Sequence, residues 1–251
     1  MGRNEINVLL NCDNNGEGVM PTLIKSICLN TERKVNVRIL AKGWVQRNLK
    51  INTPKLSVEV IEVKDYFIKS QAGKYDVVNC RALYLASIKD WDRCLSLAWD
   101  QLVNANIDEY YDQDIEGDMV MTGLLTEAKI KQVKWGGINA KDVVKKEALE
   151  GNVFMGGSNI YDLKKIRSIN LLADAKEQIV NCKYYDHIAF LSMFGGRVKP
   201  IDKEWNWLVD HHGENSDAKI IHYTGPKPWI SYRDSIWVRN SCSWVDLLDL
   251  S

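Results

Sequence analysis

The chain has 251 residues, 45% of them hydrophobic and 26% charged, and 33 basic and 33 acidic side chains give a formal net charge of +0. That composition excludes a disordered or low-complexity chain. The neutral balance supplies no general footprint for nucleic acid or an anionic membrane, although a local basic patch is left open.

The length suits one α/β domain over 1–251. The six cysteines (Cys12, Cys28, Cys80, Cys94, Cys182 and Cys242) form no C-x-x-C pair, and several lie in apolar runs. They read as free thiols of a reducing compartment. The start lacks the apolar core of a signal peptide, and no apolar run approaches the roughly 20 residues of a membrane span. The expectation is a soluble, cytoplasmic protein with no membrane span.

Residues 6–10 form a short apolar run, read as a first, central strand. It ends in Cys12-Asp-Asn-Asn-Gly-Glu-Gly18, a turn rich in residues that tolerate positive φ. Pro21 fits the first turn of a helix, with Leu23, Ile24, Ile27 and Cys28 as its apolar face. Residues 35–40 alternate as a second strand, and 56–63 form a third. Strand, helix and strand joined by short links predict a mostly parallel sheet flanked by helices.

Residues 76–88 are apolar with one internal cation, Arg81, and read as a helix. The next strand, 94–97, breaks at Ala98-Trp99-Asp100 and resumes at Leu102-Val103. A polar connection over 104–117 leads to a strand at 118–122. Residues 129–151, dense in lysine and holding Gly136-Gly137, read as a mobile, exposed excursion.

Residues 152–163 read as strand, glycine turn and strand. Gly156 and Gly157 would let the backbone approach a ligand closely. Helices are expected from 164 and over 186–193, then a strand at 198–201 and an aromatic cluster at Trp205-Asn206-Trp207. The last core strand, 218–222, runs into Tyr223-Thr-Gly-Pro-Lys-Pro-Trp229, a rigid loop carrying a cation. The Trp-rich tail to Ser251 is expected to pack across the sheet edge.

Polar groups fall at four of these predicted ends: Asp13-Asn14-Asn15, Asp100, His222 and Lys227. In an open, mostly parallel sheet such ends converge on one crevice. Asp, His and Lys together read as a diphosphate and metal site. Asp100 and His222 would hold the cation, and Lys227 would answer the phosphate charge. Plainer readings stand beside each. Asp100 also reads as a helix cap or surface acid, His222 as a satisfied core histidine and Lys227 as a solvated loop cation. Arg81 suits a structural ion pair equally, Asp13 and Asn15 suit an Asx turn, and Asp186 suits a helix N-cap. His211-His212 reads as an exposed pair without a role.

The segment His222-Tyr-Thr-Gly-Pro-Lys-Pro-Trp229 resembles the H-x-x-G-x-x-K-P-W signature of glycosyltransferase family 8, the family of glycogenin and bacterial lipooligosaccharide galactosyltransferases. Other segments agree in order. Residues 6–15 resemble the opening strand and the Asp/Asn turn that holds the nucleotide. Asn79-Cys-Arg-Ala-Leu83 resembles the helix carrying an Arg near the diphosphate, and 95–103 aligns with the Y-L-D-x-D-x-x-V strand. Residues 154–167 resemble F-N-[AS]-G and its following helix. Asp186-His187 stands where the family has D-Q-D, and 203–207 resembles its W-N pattern.

The resemblance implies a GT-A fold, with a Rossmann-like nucleotide half over about 1–103 and an acceptor half over about 104–251. It implies retaining transfer of a sugar from a nucleotide diphosphate donor, a UDP-sugar, assisted by Mn2+ or Mg2+. Asp100 and His222 would be the metal ligands. Asp13, Asn14, Asn15, Arg81, Ala98, Trp99, Asp100, Gly156, Gly157, His222, Gly225 and Lys227 would contact donor and cation. Asp186, His187 and Lys227 would be the catalytic residues, the first two beside the transferred sugar and Lys227 against the leaving diphosphate.

The sequence departs from the pattern in five places. Ala98 stands where the first Asp of D-x-D belongs, Gly16 replaces a common Tyr, Met155 replaces Asn, His187 replaces Gln, and the last motif is one residue short. Ala98 therefore allows an active transferase, a protein inactivated at this position, or a non-catalytic nucleotide-sugar-binding protein. The acceptor is left open between a glycan, a protein and a modified nucleic-acid base.

Overall fold

The computed structural model describes residues 4–46, 48–62, 84–85, 87–123, 125–135, 138–142, 144–154, 157–169, 191–231 and 234–250. Arg81, Met155, Gly156, Asp186 and His187 lie outside these residues, as does most of the helix expected over 76–88.

The strands are β1 (Glu5–Asp13), β2 (Lys34–Lys42), β3 (Lys50–Asn52), β4 (Leu56–Glu62), β5 (Arg93–Ala98), β6 (Gln101–Val103), β7 (Val120–Thr122) and β8 (Leu125–Lys129). They continue with β9 (Lys134–Trp135), β10 (Ile138–Asn139), β11 (Asn152–Phe154), β12 (Ser158–Asp162), β13 (Val198–Pro200), β14 (Trp207–Leu208) and β15 (Ile220–His222). Helix α1 (Met20–Leu29) follows β1, and short helices at Asp108–Tyr111, Leu163–Ser168, Val209–His212, Pro228–Ser231 and Ile236–Arg239 fill the connections.

Eight strands form the main sheet in the order β13-β7-β12-β5-β1-β2-β4-β3. The β1/β2, β1/β5, β2/β4 and β13/β7 pairs are parallel, whereas β12 runs antiparallel to both β5 and β7 and β3 runs antiparallel to β4. The sheet is thus mixed, with a parallel centre, as the strand–helix–strand pattern predicts. β1 is central and covered on both faces, which explains its nearly unbroken apolar run. Ile6, Val8 and Leu10 pack with Leu23, Ile24 and Ile27 of α1, whereas Leu9 faces a second layer with Cys94, Tyr161 and Phe194.

Two expectations are corrected. Segment 129–151 is not an exposed excursion throughout. Ile130, Ala140, Val144 and Ala148 are buried in the second layer, while Lys131 turns outward to Glu150. Ala140, Val144 and Ala148 recur four apart, as a helical template would have them, but they are set on or between short 3-10 turns in a lysine-dense run rather than on one helix. At Cys242 and Trp244 the tail meets α1 and the loop after β2 rather than an edge strand. Cys242 N–H bonds Thr22 Oγ1 on α1 at 3.2 Å, and Trp244 meets Trp44 edge to face at 5.9 Å. The edge strand β3 is a further departure, too short and polar to stand out in the sequence.

Tyr110 ties the short helix Asp108–Tyr111 to the rim of the main sheet. It is fully buried, stacks on Trp205 at 4.8 Å, and its hydroxyl lies 3.0 Å from the Ser158 carbonyl and 3.3 Å from that of Met121. Tyr110→Phe keeps the ring and removes the hydroxyl's hydrogen bonding to these carbonyls. It is expected to lower stability by about 1–2 kcal/mol, read in urea unfolding as a lower midpoint with an unchanged slope.

Candidate active site

β1 and β5 run parallel and end on one rim, at Asp13 and Ala98. There the chain leaves the main sheet, turns through Trp99 and Asp100, and enters β6 of a second, three-stranded sheet ordered β14-β15-β6. β6 and β15 are antiparallel, with Gln101 opposite His222. The Tyr223 N–H bonds the Asp100 carbonyl at 2.9 Å. This register sets Asp100 beside His222, although the residues are far apart in sequence.

Asp100 and His222 are both buried. Asp100 Oδ1 lies 3.3 Å from His222 Nε2, and the Lys227 ammonium pairs with Oδ2 of the same carboxylate. Lys227 Nζ also donates to the Tyr223 carbonyl at 2.6 Å and lies over the Trp99 and Trp229 rings, 5.5 and 6.0 Å from their centroids. Burial alone would raise the Asp100 carboxyl. The hydrogen bond and charge of His222, followed by the Lys227 ammonium, outweigh it and bring the carboxyl down to about 2. The loop that delivers Lys227 turns at Gly225, whose φ of +77° favours glycine and where a Cβ would press on Asp210.

Behind His222 lies a chain of amides. The Ala98 N–H is shared between the Gly157 carbonyl at 2.8 Å and Gln101 Oε1 at 2.9 Å. Gln101 Nε2 donates to Asn206 Oδ1 at 2.9 Å, and that oxygen also meets His222 Nδ1 at 2.8 Å. Asn206 Nδ2 is buried without a hydrogen-bond partner among the described residues, an arrangement that costs about 1–3 kcal/mol. With Nδ1–H directed at a carbonyl, a neutral His222 turns a bare Nε2 toward the Asp100 carboxylate. Two acceptors so placed call for a proton or a metal cation between them.

The donor set fits a hard or borderline cation, one imidazole and one carboxylate. Among the described residues no group of three or more His, Cys, Asp or Glu is arranged to hold a metal. Further ligands would have to come from substrate oxygens and water.

At the end of β1, Asp13 accepts from Asn15 N at 3.0 Å and from Asn15 Nδ2 at 3.1 Å, so the Asx-turn reading is realised. Trp44 Nε1 bonds the Asp13 carbonyl at 2.8 Å, and Glu17 accepts from Val45 N and Gln46 N. These bonds tie the loop after β2 to the turn. Gly16 has no room for a side chain: a Cβ would fall 1.9 Å from Cys12 Sγ and 3.2 Å from the Trp99 ring. Asn14 is exposed beside this turn.

The structure therefore gathers Ala98, Trp99, Asp100, Gly157, His222, Gly225 and Lys227 around one point, with Asp13, Asn14 and Asn15 on the same rim. Arg81, Gly156, Asp186 and His187 lie outside the described residues. Gln101 and Asn206 went unassigned in the sequence because a buried amide leaves no periodic mark. Their only signals are Gln101's place after Asp100 at a strand start and Asn206's place in the tryptophan cluster that resembles the family's W-N pattern.

A family profile described as glycosyl transferase family 8 matches residues 7–232. Glycosyltransferase GlyB from Streptococcus pneumoniae serotype 4 is 22% identical, in an alignment covering 98% of this chain and 64% of that protein. This chain thus spans under two thirds of that relative. An active-site mutant of LgtC is similar in fold, with a TM-score of 0.71 and 16% identity over 94% of both chains. The galactosyltransferase LgtC in complex with donor and acceptor sugar analogs gives 0.67 and 18% over the same shares. GlyE from Streptococcus pneumoniae TIGR4 gives 0.65 and 13%, covering 98% of this chain and 62% of that one.

The lowered Asp100 carboxyl fixes a direction for acid stability. Its contribution is complete above the ordinary carboxylate value of about 4 and is lost as pH falls toward about 2. Asp100→Asn removes that titration and leaves Lys227 without its carboxylate. Urea unfolding at neutral pH is expected to show a loss of about 2–4 kcal/mol. The variant's stability should also fall less steeply than the parent's between about pH 4 and about pH 2.

Proposed function

The chain belongs to glycosyl transferase family 8, and from that premise we propose that it moves a hexose from a nucleotide diphosphate donor, a UDP-sugar, to an acceptor hydroxyl with retention of configuration. The observation that carries this reading is His222 Nε2 placed 3.3 Å from the Asp100 carboxylate, with an ammonium on the carboxylate's other side. That arrangement suits a cation together with a diphosphate. Asp100 and His222 would hold Mn2+ or Mg2+. When bound, the ion would offset the charge that develops on the leaving diphosphate.

The chain's own groups divide the remaining work. Lys227, steered by the Gly225 turn and the Trp99 and Trp229 rings, places a second positive charge against the diphosphate. Gly157, by lacking a side chain, leaves room for the His222 ring beside the rim. The Asp13–Asn15 turn, braced by Trp44, offers polar groups to the nucleotide. The bond between sugar and diphosphate breaks on the face where the acceptor oxygen bonds, and the acceptor proton leaves with the diphosphate. By family resemblance, Arg81 would pair with the diphosphate, Gly156 would widen the approach, and Asp186 and His187 would contact the transferred sugar.

Ala98 favours a second reading. With one carboxylate in place of two, the site carries less negative charge for a dication, and Lys227 already neutralises the carboxylate that is left. A protein that holds a nucleotide sugar with little turnover would have this composition.

Calorimetric titration of UDP, with and without Mn2+, tests both readings on the parent and on Ala98→Asp. UDP is expected to bind both proteins, about tenfold or more tightly with Mn2+, and most tightly in Ala98→Asp. Donor hydrolysis should rise by about tenfold or more in the Asp variant. Tight UDP binding with no gain in hydrolysis or transfer would favour the binding protein. Absence of UDP binding in both would remove the donor assignment.

A further inference from the structure

We propose that Gln101 and Asn206 are positioning residues that lock His222 in its Nδ1–H tautomer and so dedicate Nε2 to the cation facing Asp100. The inference rests on the metal reading of the site and adds two residues to it.

The hydrogen bonds fix donor and acceptor one after another, starting from the main chain. A backbone N–H only donates, so the Gln101 atom 2.9 Å from Ala98 N is its carbonyl oxygen. Its amide nitrogen is then the atom that reaches Asn206 at 2.9 Å. That nitrogen also only donates, so Asn206 presents its oxygen. The same oxygen faces His222 Nδ1 at 2.8 Å, and a carbonyl accepts only. Nδ1 therefore carries hydrogen whether the ring is neutral or charged. Orientation of a metal-binding histidine through its other nitrogen is the established physical use of such a bond.

Two further observations point the same way. Gln101 is fully buried and Asn206 is 1% exposed, yet Asn206 Nδ2 has no hydrogen-bond partner among the described residues. An apolar side chain would avoid that orphaned donor, so stability does not explain the residue. What Asn206 supplies is one oxygen held against two donors. Gly157 adds a steric constraint, because a Cβ there would lie 2.6 Å from His222 Cε1 and 2.9 Å from Nδ1. The absence of a side chain at 157 lets the ring sit where the bond needs it.

The chain of amides begins at the main chain of residue 98, not at its side chain. Replacement of the carboxylate by Ala98 therefore leaves the orientation of His222 intact. The site has lost one candidate ligand and kept the apparatus that aims another.

The test is the 15N spectrum of histidine-labelled, metal-free protein at a pH where the rings are neutral, with His222 assigned by its loss in His222→Gln. The parent should show a protonated Nδ1 and a bare Nε2. A protonated Nε2 would overturn the proposal without need of any further variant. Asn206→Leu should move the ring toward Nε2–H and weaken Mn2+ binding in the presence of UDP by about 10–100-fold. Asn206→Asp keeps an acceptor and should keep both the tautomer and most of the affinity. An unchanged tautomer in folded Asn206→Leu would also overturn the proposal. A parent that shows the Nδ1–H tautomer, lost in Asn206→Leu, yet binds no Mn2+ with UDP would uphold the role of Asn206 and overturn the metal reading, so the two failures are distinguishable.

Discussion

The chain passes from the eight-stranded sheet to the three-stranded one at Ala98–Asp100, and the site is built on that crossing. β5 is held between β1 and β12 up to Ala98, whose N–H reaches both the Gly157 carbonyl and Gln101. Three residues later the chain is already in β6, paired with β15. A strand that simply continued would have carried Asp100 along the main sheet. The crossing instead sets it beside His222, which arrives at the end of a different strand in the second sheet. Close packing around Gly157 then leaves the imidazole little freedom.

That position is expensive for a carboxylate, and its neighbours decide what it can do. Burial opposes the charge on Asp100, and His222 with Lys227 more than restores it. The same neighbours leave the pocket without net negative charge in the absence of ligands, so a lone dication finds little net attraction. A diphosphate changes the balance, because it brings negative charge for both the cation and Lys227. On the proposed reading, affinity for the two ligands would be coupled through one carboxylate. The orphaned Asn206 amide belongs to the same pattern, in which local stability is given up to orient a ligand atom.

Much of this was legible in the sequence, for an identifiable reason. Asp13, Asp100, His222 and Lys227 stand at or just beyond the ends of apolar runs. An apolar run followed by a polar turn shows where a core strand reaches the rim. The central order around β1 followed from the strand–helix–strand spacing. What stayed hidden depends on contacts between distant segments. The register that puts Gln101 opposite His222 has no local signature, and nothing in Trp205-Asn-Trp207 shows that its amide is buried against a histidine. The buried anchors of 129–151 and the docking of the tail on α1 were hidden for the same reason. The loss of a Tyr at Gly16 was visible, but the Trp99 ring packed against that glycine was not.

The most direct measurement is the anomalous diffraction of crystals grown with UDP and Mn2+. The account predicts one manganese peak in contact with both Asp100 and His222 Nε2, with diphosphate oxygens as its other ligands and Lys227 against the diphosphate. A nucleotide bound elsewhere, or a peak that touches neither Asp100 nor His222, would contradict it.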